Sequence, residues 1–200
     1  MRRLILLPLL FAAAPAAAAQ ITCDGPFAPD SSEARLVEAF GAGNVVSGEV
    51  PGPEGTTIFA TTVYPDDPER SMEFGWWDDA AREGLSYATI ALADTAPGGL
   101  EYGMSIAEAE QLNGAPFELS GFGWDYGGYA GFLGGALGDL EGGCRLSAGF
   151  QPTAEPPADI DMTPVYGDVL LSSDEPLLEL LDARIETITI GYPRFDAEFD

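Results

Sequence analysis

Three times along this chain a helix-start signal precedes strand-like sequence, at spacings of roughly seventy residues, and such self-similarity is the mark of tandem supersecondary units. The first start is Asp30-Ser31-Ser32-Glu33, with an acceptor side chain three residues ahead of a glutamate. Leu36, Val37 and Phe40 supply its apolar stripe, and Gly41 with Gly43-Asn44 stops it. After a turn cluster at Pro51-Gly52-Pro53-Glu54-Gly55, Thr56 to Tyr64 has the β-branched and aromatic content of a strand. Pro65-Asp66-Asp67-Pro68 turns it, Met72 to Trp77 returns as the hairpin partner, and Leu85 to Leu92 is a third strand.

The second start is the capping box Ser105-Ile106-Ala107-Glu108, with Ile106, Ala109 and Leu112 on one face and a stop at Asn113-Gly114. Phe117 to Trp124, Tyr126 to Leu133 and Arg145 to Phe150 then read as strands. A Pro-rich link from Pro152 to Pro164 leads to the third start, Ser173-Asp174-Glu175-Pro176, with Leu177, Leu178, Leu180 and Leu181 buried. Arg184 to Tyr192 is a β-branched final strand. The pattern predicts an α+β fold: tandem short-helix plus antiparallel-strand repeats that form a layered, curved sheet. Residues 20–95 make the first helix-plus-hairpin repeat, 96–193 the second with its C-terminal helix and strand, and 194–200 an acidic tail.

Residues 1–19 read as a secretory signal peptide. Arg2 and Arg3 form the charged region, Leu4 to Ala13 the apolar region, and Ala17-Ala18-Ala19 the small-residue cleavage site. The apolar run is shorter than the roughly 20 residues a bilayer requires, and Pro8 and Pro15 interrupt it. Cys23 follows Gln20-Ile21-Thr22 and not the small-residue box that lipidation needs. The expectation is a periplasmic or secreted protein with no transmembrane segment. Two cysteines in an exported chain, Cys23 and Cys144, then pair most simply as one disulfide between the N-terminal segment and the middle of the protein.

Charge and missing residue types narrow the chemistry. The formal charge is −25, with thirty-three acidic residues against eight basic ones, all arginine. Such a surface repels nucleic acid and anionic lipid, which need lysine or arginine to displace counterions. Without histidine there is no imidazole base, metal ligand or pH switch, and without lysine no Schiff base or P-loop lysine. Carboxylate chemistry and binding remain.

The segment Tyr102-Gly103-Met104-Ser105-Ile106-Ala107-Glu108-Ala109-Glu110-Gln111-Leu112-Asn113-Gly114-Ala115-Pro116-Phe117 resembles the Gly-Met-Ser/Thr, Glu, Asn-Gly, Pro-Phe signature of small exported bacterial proteins. It is similar to the helix-loop-strand unit of the SmpA/OmlA (BamE-like) lipoproteins and of the β-lactamase inhibitory protein, which share a two-helix, curved-sheet repeat. The whole chain also resembles a group of exported proteobacterial proteins carrying this unit. The resemblance implies a binding scaffold and not an enzyme, with no cofactor.

Candidate contact residues cluster in the aromatic-glycine run Gly121 to Phe132. At period two, Phe122, Trp124 and Tyr126 would share one strand face, with Gly121, Gly123 and Asp125 on the other. With Tyr129 they could form a platform for a protein or cell-envelope ligand, or the core beneath the helices. Adjacent Trp76 and Trp77 must face opposite sides of a strand, one in the core and one outside it. The favoured expectation is therefore a monomeric, non-catalytic binding protein of the cell envelope. The alternative is a carboxylate-dependent glycan-acting enzyme, with Glu54, Glu73 and Asp125 as first candidates, or a calcium-binding envelope protein using paired aspartates. Asp66-Asp67, Asp78-Asp79 and Asp159-Ile160-Asp161 read by default as solvated turns, with no metal bound.

Overall fold

The computed structural model describes residues 18–194; most of the proposed signal peptide and of the acidic tail lie outside the described residues. Nine strands form one antiparallel sheet: β1 (Val45–Pro51), β2 (Thr57–Val63), β3 (Met72–Asp78), β4 (Glu83–Thr89), β5 (Glu118–Ser120), β6 (Tyr129–Gly131), β7 (Arg145–Gln151), β8 (Leu170–Ser172) and β9 (Arg184–Gly191). Their order in the sheet is β1-β2-β3-β4-β9-β7-β6-β5-β8. Two short α-helices accompany it, α1 (Glu33–Phe40) and α2 (Ile106–Asn113), so the class is α+β with the sheet predominating.

The alternation of each strand explains the layering. Met72, Phe74 and Trp76 of β3 point to one face, as do Leu85 and Ala88 of β4, Ile188 and Ile190 of β9, and Leu146 and Ala148 of β7; all are buried. These side chains make one continuous core with Leu36 of α1 and with Ile106 and Ala109 of α2. The intervening residues, Glu73, Trp77, Tyr87, Thr89, Thr187, Thr189 and Ser147, stand on the opposite face, where no helix packs among the described residues.

Both helices start on serine. Ser32 accepts from the Arg35 amide at 3.3 Å. Ser105 accepts from Glu108 at 3.2 Å while the Glu108 carboxylate accepts from the Ser105 amide at 2.8 Å, a complete capping box. The first start is thus two residues later than its sequence pattern predicts, because Asp30 instead holds Arg35 at 2.7 Å. Each cap serine also bridges the first residue of a later strand: Ser32 pairs with Glu83 of β4, and Ser105 with Arg184 of β9. Both β3 and β7 break register at a glycine-aromatic step, Gly75/Trp76 and Gly149/Phe150.

The expected disulfide is present. Cys23 and Cys144 are bonded with Cα atoms 5.7 Å apart, and this fastens the lead-in segment to the residue before β7. Tyr192 reinforces the same corner, donating from its hydroxyl to Phe27 O at 2.9 Å.

Three expectations are corrected. The segment from Ser173 does not become an α-helix; Pro176–Leu181 is a 3-10 helix that delivers the chain into β9. Strand β1 falls where no strand was expected: Gly41 caps α1, Ala42–Asn44 makes one 3-10 turn, and the chain then extends. Phe122, Trp124 and Tyr126 do not share a strand. The chain leaves β5 at Ser120 and turns through 123–128 before β6. Gly128 explains the turn: it holds φ 77°, and a Cβ there would lie 2.1 Å from Phe150 O, so only glycine fits.

Candidate binding face

The sheet's uncovered face and the β5–β6 connection carry the predicted contact residues unequally. Trp76 and Phe122 are buried, at 5% and 1% exposure, and belong to the core. The Trp76 indole donates to Thr61 Oγ1 at 2.9 Å, and Thr61 shares a 2.7 Å hydrogen bond with Ser47. Ser47 in turn donates to Glu33, which Arg82 holds by an ion pair at 2.7 Å. This chain of partners gives the indole N–H and both hydroxyls an acceptor as the indole enters the core, which is the condition for burying a tryptophan.

Trp77, Trp124, Tyr126 and Tyr129 are exposed by 41, 39, 42 and 44%. They form two groups and not one. Tyr129 lies on β6 with its ring over Gly149 of β7; a Cβ there would meet the ring at 3.4 Å. Trp124 and Tyr126 meet edge to face in the β5–β6 connection, with ring centroids 5.4 Å apart. The Trp124 indole is oriented by a 2.8 Å hydrogen bond to Gly121 O, and Ser120 Oγ donates to Tyr129 O at 3.2 Å, joining loop to strand. Trp77 sits on β3, four interstrand spacings or roughly 19 Å along the sheet from β6. There it has the Arg194 guanidinium 6.0 Å from its ring centroid.

Sequence reasoning missed two members. Tyr87 lies flat across Gly75, where an added Cβ would come within 2.0 Å of its ring, and its hydroxyl donates to Glu73 at 2.7 Å. Burial first, and then this acidic partner, push the Tyr87 hydroxyl well above the ordinary tyrosine range. Tyr166 packs beside Gly123 and stays 39% exposed; it comes just after the Pro-rich link, and the bridge Phe122↔Tyr166 brings it there. The alternation Thr187-Ile188-Thr189-Ile190 was the available signal for Tyr87's face, since it marks a strand with one polar side. No local signal marks Tyr166.

The carboxylate candidates separate. Glu73 is on β3 beneath Tyr87, Asp125 is in the β5–β6 connection, and Glu54 falls in the 3-10 turn Pro53–Gly55 between β1 and β2. Two of the aspartate pairs and Asp161 close their own turns: Asp67 accepts from the Glu69 amide, Asp78 from Ala81 and Asp161 from Thr163. The Thr163 contacts hold the Asp161 carboxyl below its ordinary range. Among the described residues no three Cys, Asp or Glu side chains are arranged to hold a metal ion. An open groove of about 560 Å³ lies between α2 and the 3-10 helix, lined by Glu110, Asp174, Glu175, Glu179, Asp182 and Arg184. Arg184 is already engaged there by Asp182 and, at 3.5 Å, by Glu108. Compared with known protein families, curated proteins and solved structures, the chain matches none of them.

Proposed function

We propose that this chain is an exported, non-catalytic binding protein of the cell envelope that holds a protein or envelope ligand against its uncovered sheet face. The observation that carries the reading is the set of exposed aromatics, Trp77 on β3, Tyr129 on β6 and the Trp124–Tyr126 pair beside it, on a face no helix covers. Large rigid rings with polar tips are the side chains that dominate binding energy at interfaces. The Cys23–Cys144 disulfide and the absence of a membrane-spanning helix among the described residues accord with export to the periplasm.

The scaffold reads as two copies of one unit, a capped helix followed by four strands. The first is α1 with β1–β4 and the second α2 with β5, β6, β7 and β9. Three correspondences support this: the Ser32/Glu83 and Ser105/Arg184 bridges, the Gly75/Trp76 and Gly149/Phe150 register shifts, and the antiparallel meeting of β4 with β9 at the middle of the sheet. The likeness of residues 102–117 to the SmpA/OmlA unit belongs to the same reading.

The test is site-specific photocrosslinking in the envelope of the producing cell. Crosslinkers at positions 77 and 129 should capture the same partner, and Trp124→Ala should reduce capture from 129 several-fold. Equal capture from a crosslinker at Ala107, on the exposed side of α2, would overturn the reading.

A further inference from the structure

A second surface, distinct from the aromatic face, is the outer edge of β1. We infer that this edge takes an extended, positively charged peptide segment of another protein, which joins the sheet as an added strand. All seven residues of β1 pair with β2 in unbroken register, from Val45↔Val63 to Pro51↔Thr57. The Tyr64 amide donates to Asn44 O and the Gly52 amide to Thr56 O, one bond at each end of the ladder. Alternation between them turns the backbone groups of Val46, Gly48 and Val50 toward β2 and those of Val45, Ser47 and Glu49 outward. Among the described residues no hydrogen bond reaches the outward groups.

Natural edges are usually shortened, bulged, or guarded by lysine or proline. The opposite edge of this sheet follows that rule, since β8 has three residues. β1 does not: it has no bulge, its one proline is terminal, and the chain contains no lysine. A strand this long and regular is a template for addition of another strand.

Charge selects the occupant. Glu49 is exposed on β1 itself, Glu38 is exposed on α1, which packs against β1, and Asp66 is exposed just past β2. Of the nearby arginines, Arg35 is paired with Asp30 and Arg82 with Glu33, and Arg70 lies over the Tyr64 ring, 3.7 Å from its centroid, at the far end of the strand from Glu49. A second copy of the chain would bring two formal charges of −25 together across this edge. A cationic segment meets the opposite field. Period-two alternation gives its pattern: basic residues beside Glu49, and apolar residues on the other face beside Val46, which is exposed, and Val50.

The probe is a short synthetic peptide alternating arginine with valine, added to the full exported chain, with amide hydrogen exchange followed residue by residue. We expect saturable binding that slows exchange at Val45, Ser47 and Glu49 more than about tenfold while leaving Val46, Gly48 and Val50 unchanged, because those three are already bonded to β2. Glutamate in place of arginine should abolish binding, and so should N-methylation of the peptide's strand-facing amides. Glu49→Pro, which removes one outward donor and one charge, should weaken binding about tenfold. If that variant does not fold, the N-methylated peptide gives the same decision on the unaltered chain. No binding, equal binding of the N-methylated peptide, or protection of Val45, Ser47 and Glu49 in the free protein, by a second copy or by the chain's own ends, would overturn the inference.

Discussion

The two halves of the sheet have similar interiors and different exteriors. In the first half, Phe74 lies between Phe27, at 5.4 Å, and Trp76, stacked at 6.3 Å. In the second, Phe117 takes the equivalent central part, 4.8 Å from Phe132 and 6.0 Å from Phe150. Outside, the second half exposes Trp124, Tyr126, Tyr129, Tyr166 and Leu170, whereas Trp77 is the large exposed ring of the first. The edges differ as well: β5 is covered by β8, which follows the Pro-rich link, and β1 is bare among the described residues. A shared interior keeps the architecture, and the exterior is free to diverge because exposed rings and edge cover contribute little to folding.

The comparison breaks most readily at the core. Phe74→Ala and Phe150→Ala should each destabilise the protein by about 3–5 kcal/mol. Because one core spans both halves, urea unfolding should remain a single transition in each variant. Two separated transitions in Phe150→Ala would mean that the halves fold independently. Opening the Cys23–Cys144 bond with reductant should cost about 2–4 kcal/mol, since the bond closes a separation of 121 residues. A matching fall in the urea midpoint checks it.

The helix caps sharpen the comparison at the smallest scale. Ser105→Ala should cost about 1 kcal/mol or somewhat more and Ser32→Ala less, because only Ser105 has the reciprocal glutamate. The two should also separate with pH. Its hydrogen bonds from the Ser105 amide and hydroxyl hold the Glu108 carboxyl below its ordinary 4.5. A depressed folded-state pKa adds stability above pH 4.5 and loses it as pH falls through the lower folded value. Acidification below pH 4.5 should therefore shrink the difference between Ser105→Ala and the parent, while the effect of Ser32→Ala, measured in parallel by thermal melting, should not follow this titration.

Much of the architecture was legible because its signals are local. The β2–β3 hairpin, β4, β7, β9, α2 and the disulfide follow from β-branched runs, a capping box and the presence of just two cysteines. What sequence could not supply was long-range pairing. The Gly121 to Phe132 run alternates like a strand, yet Gly128 must lie against Phe150 O, a contact made only once β7 is in place. For the same reason Phe122 and Trp124 shared a predicted face and separated in the fold, one to the core and one to the surface. Trp76 and Trp77 did divide as adjacent strand residues must, since that rule needs only the strand itself.

The position of β9 has a consequence for how the chain assembles. It is the last of the described strands in sequence and the fifth in the sheet, lying between β4 and β7. Until it docks, both neighbours present unpaired backbone toward each other across a gap, so the two halves can condense but cannot join. A chain made from its N-terminus holds that gap open until residues 184–191 have emerged. The seam closes in one late, long-range step, and any factor that shields nascent strands from aggregation would act on β4 and β7 in that interval.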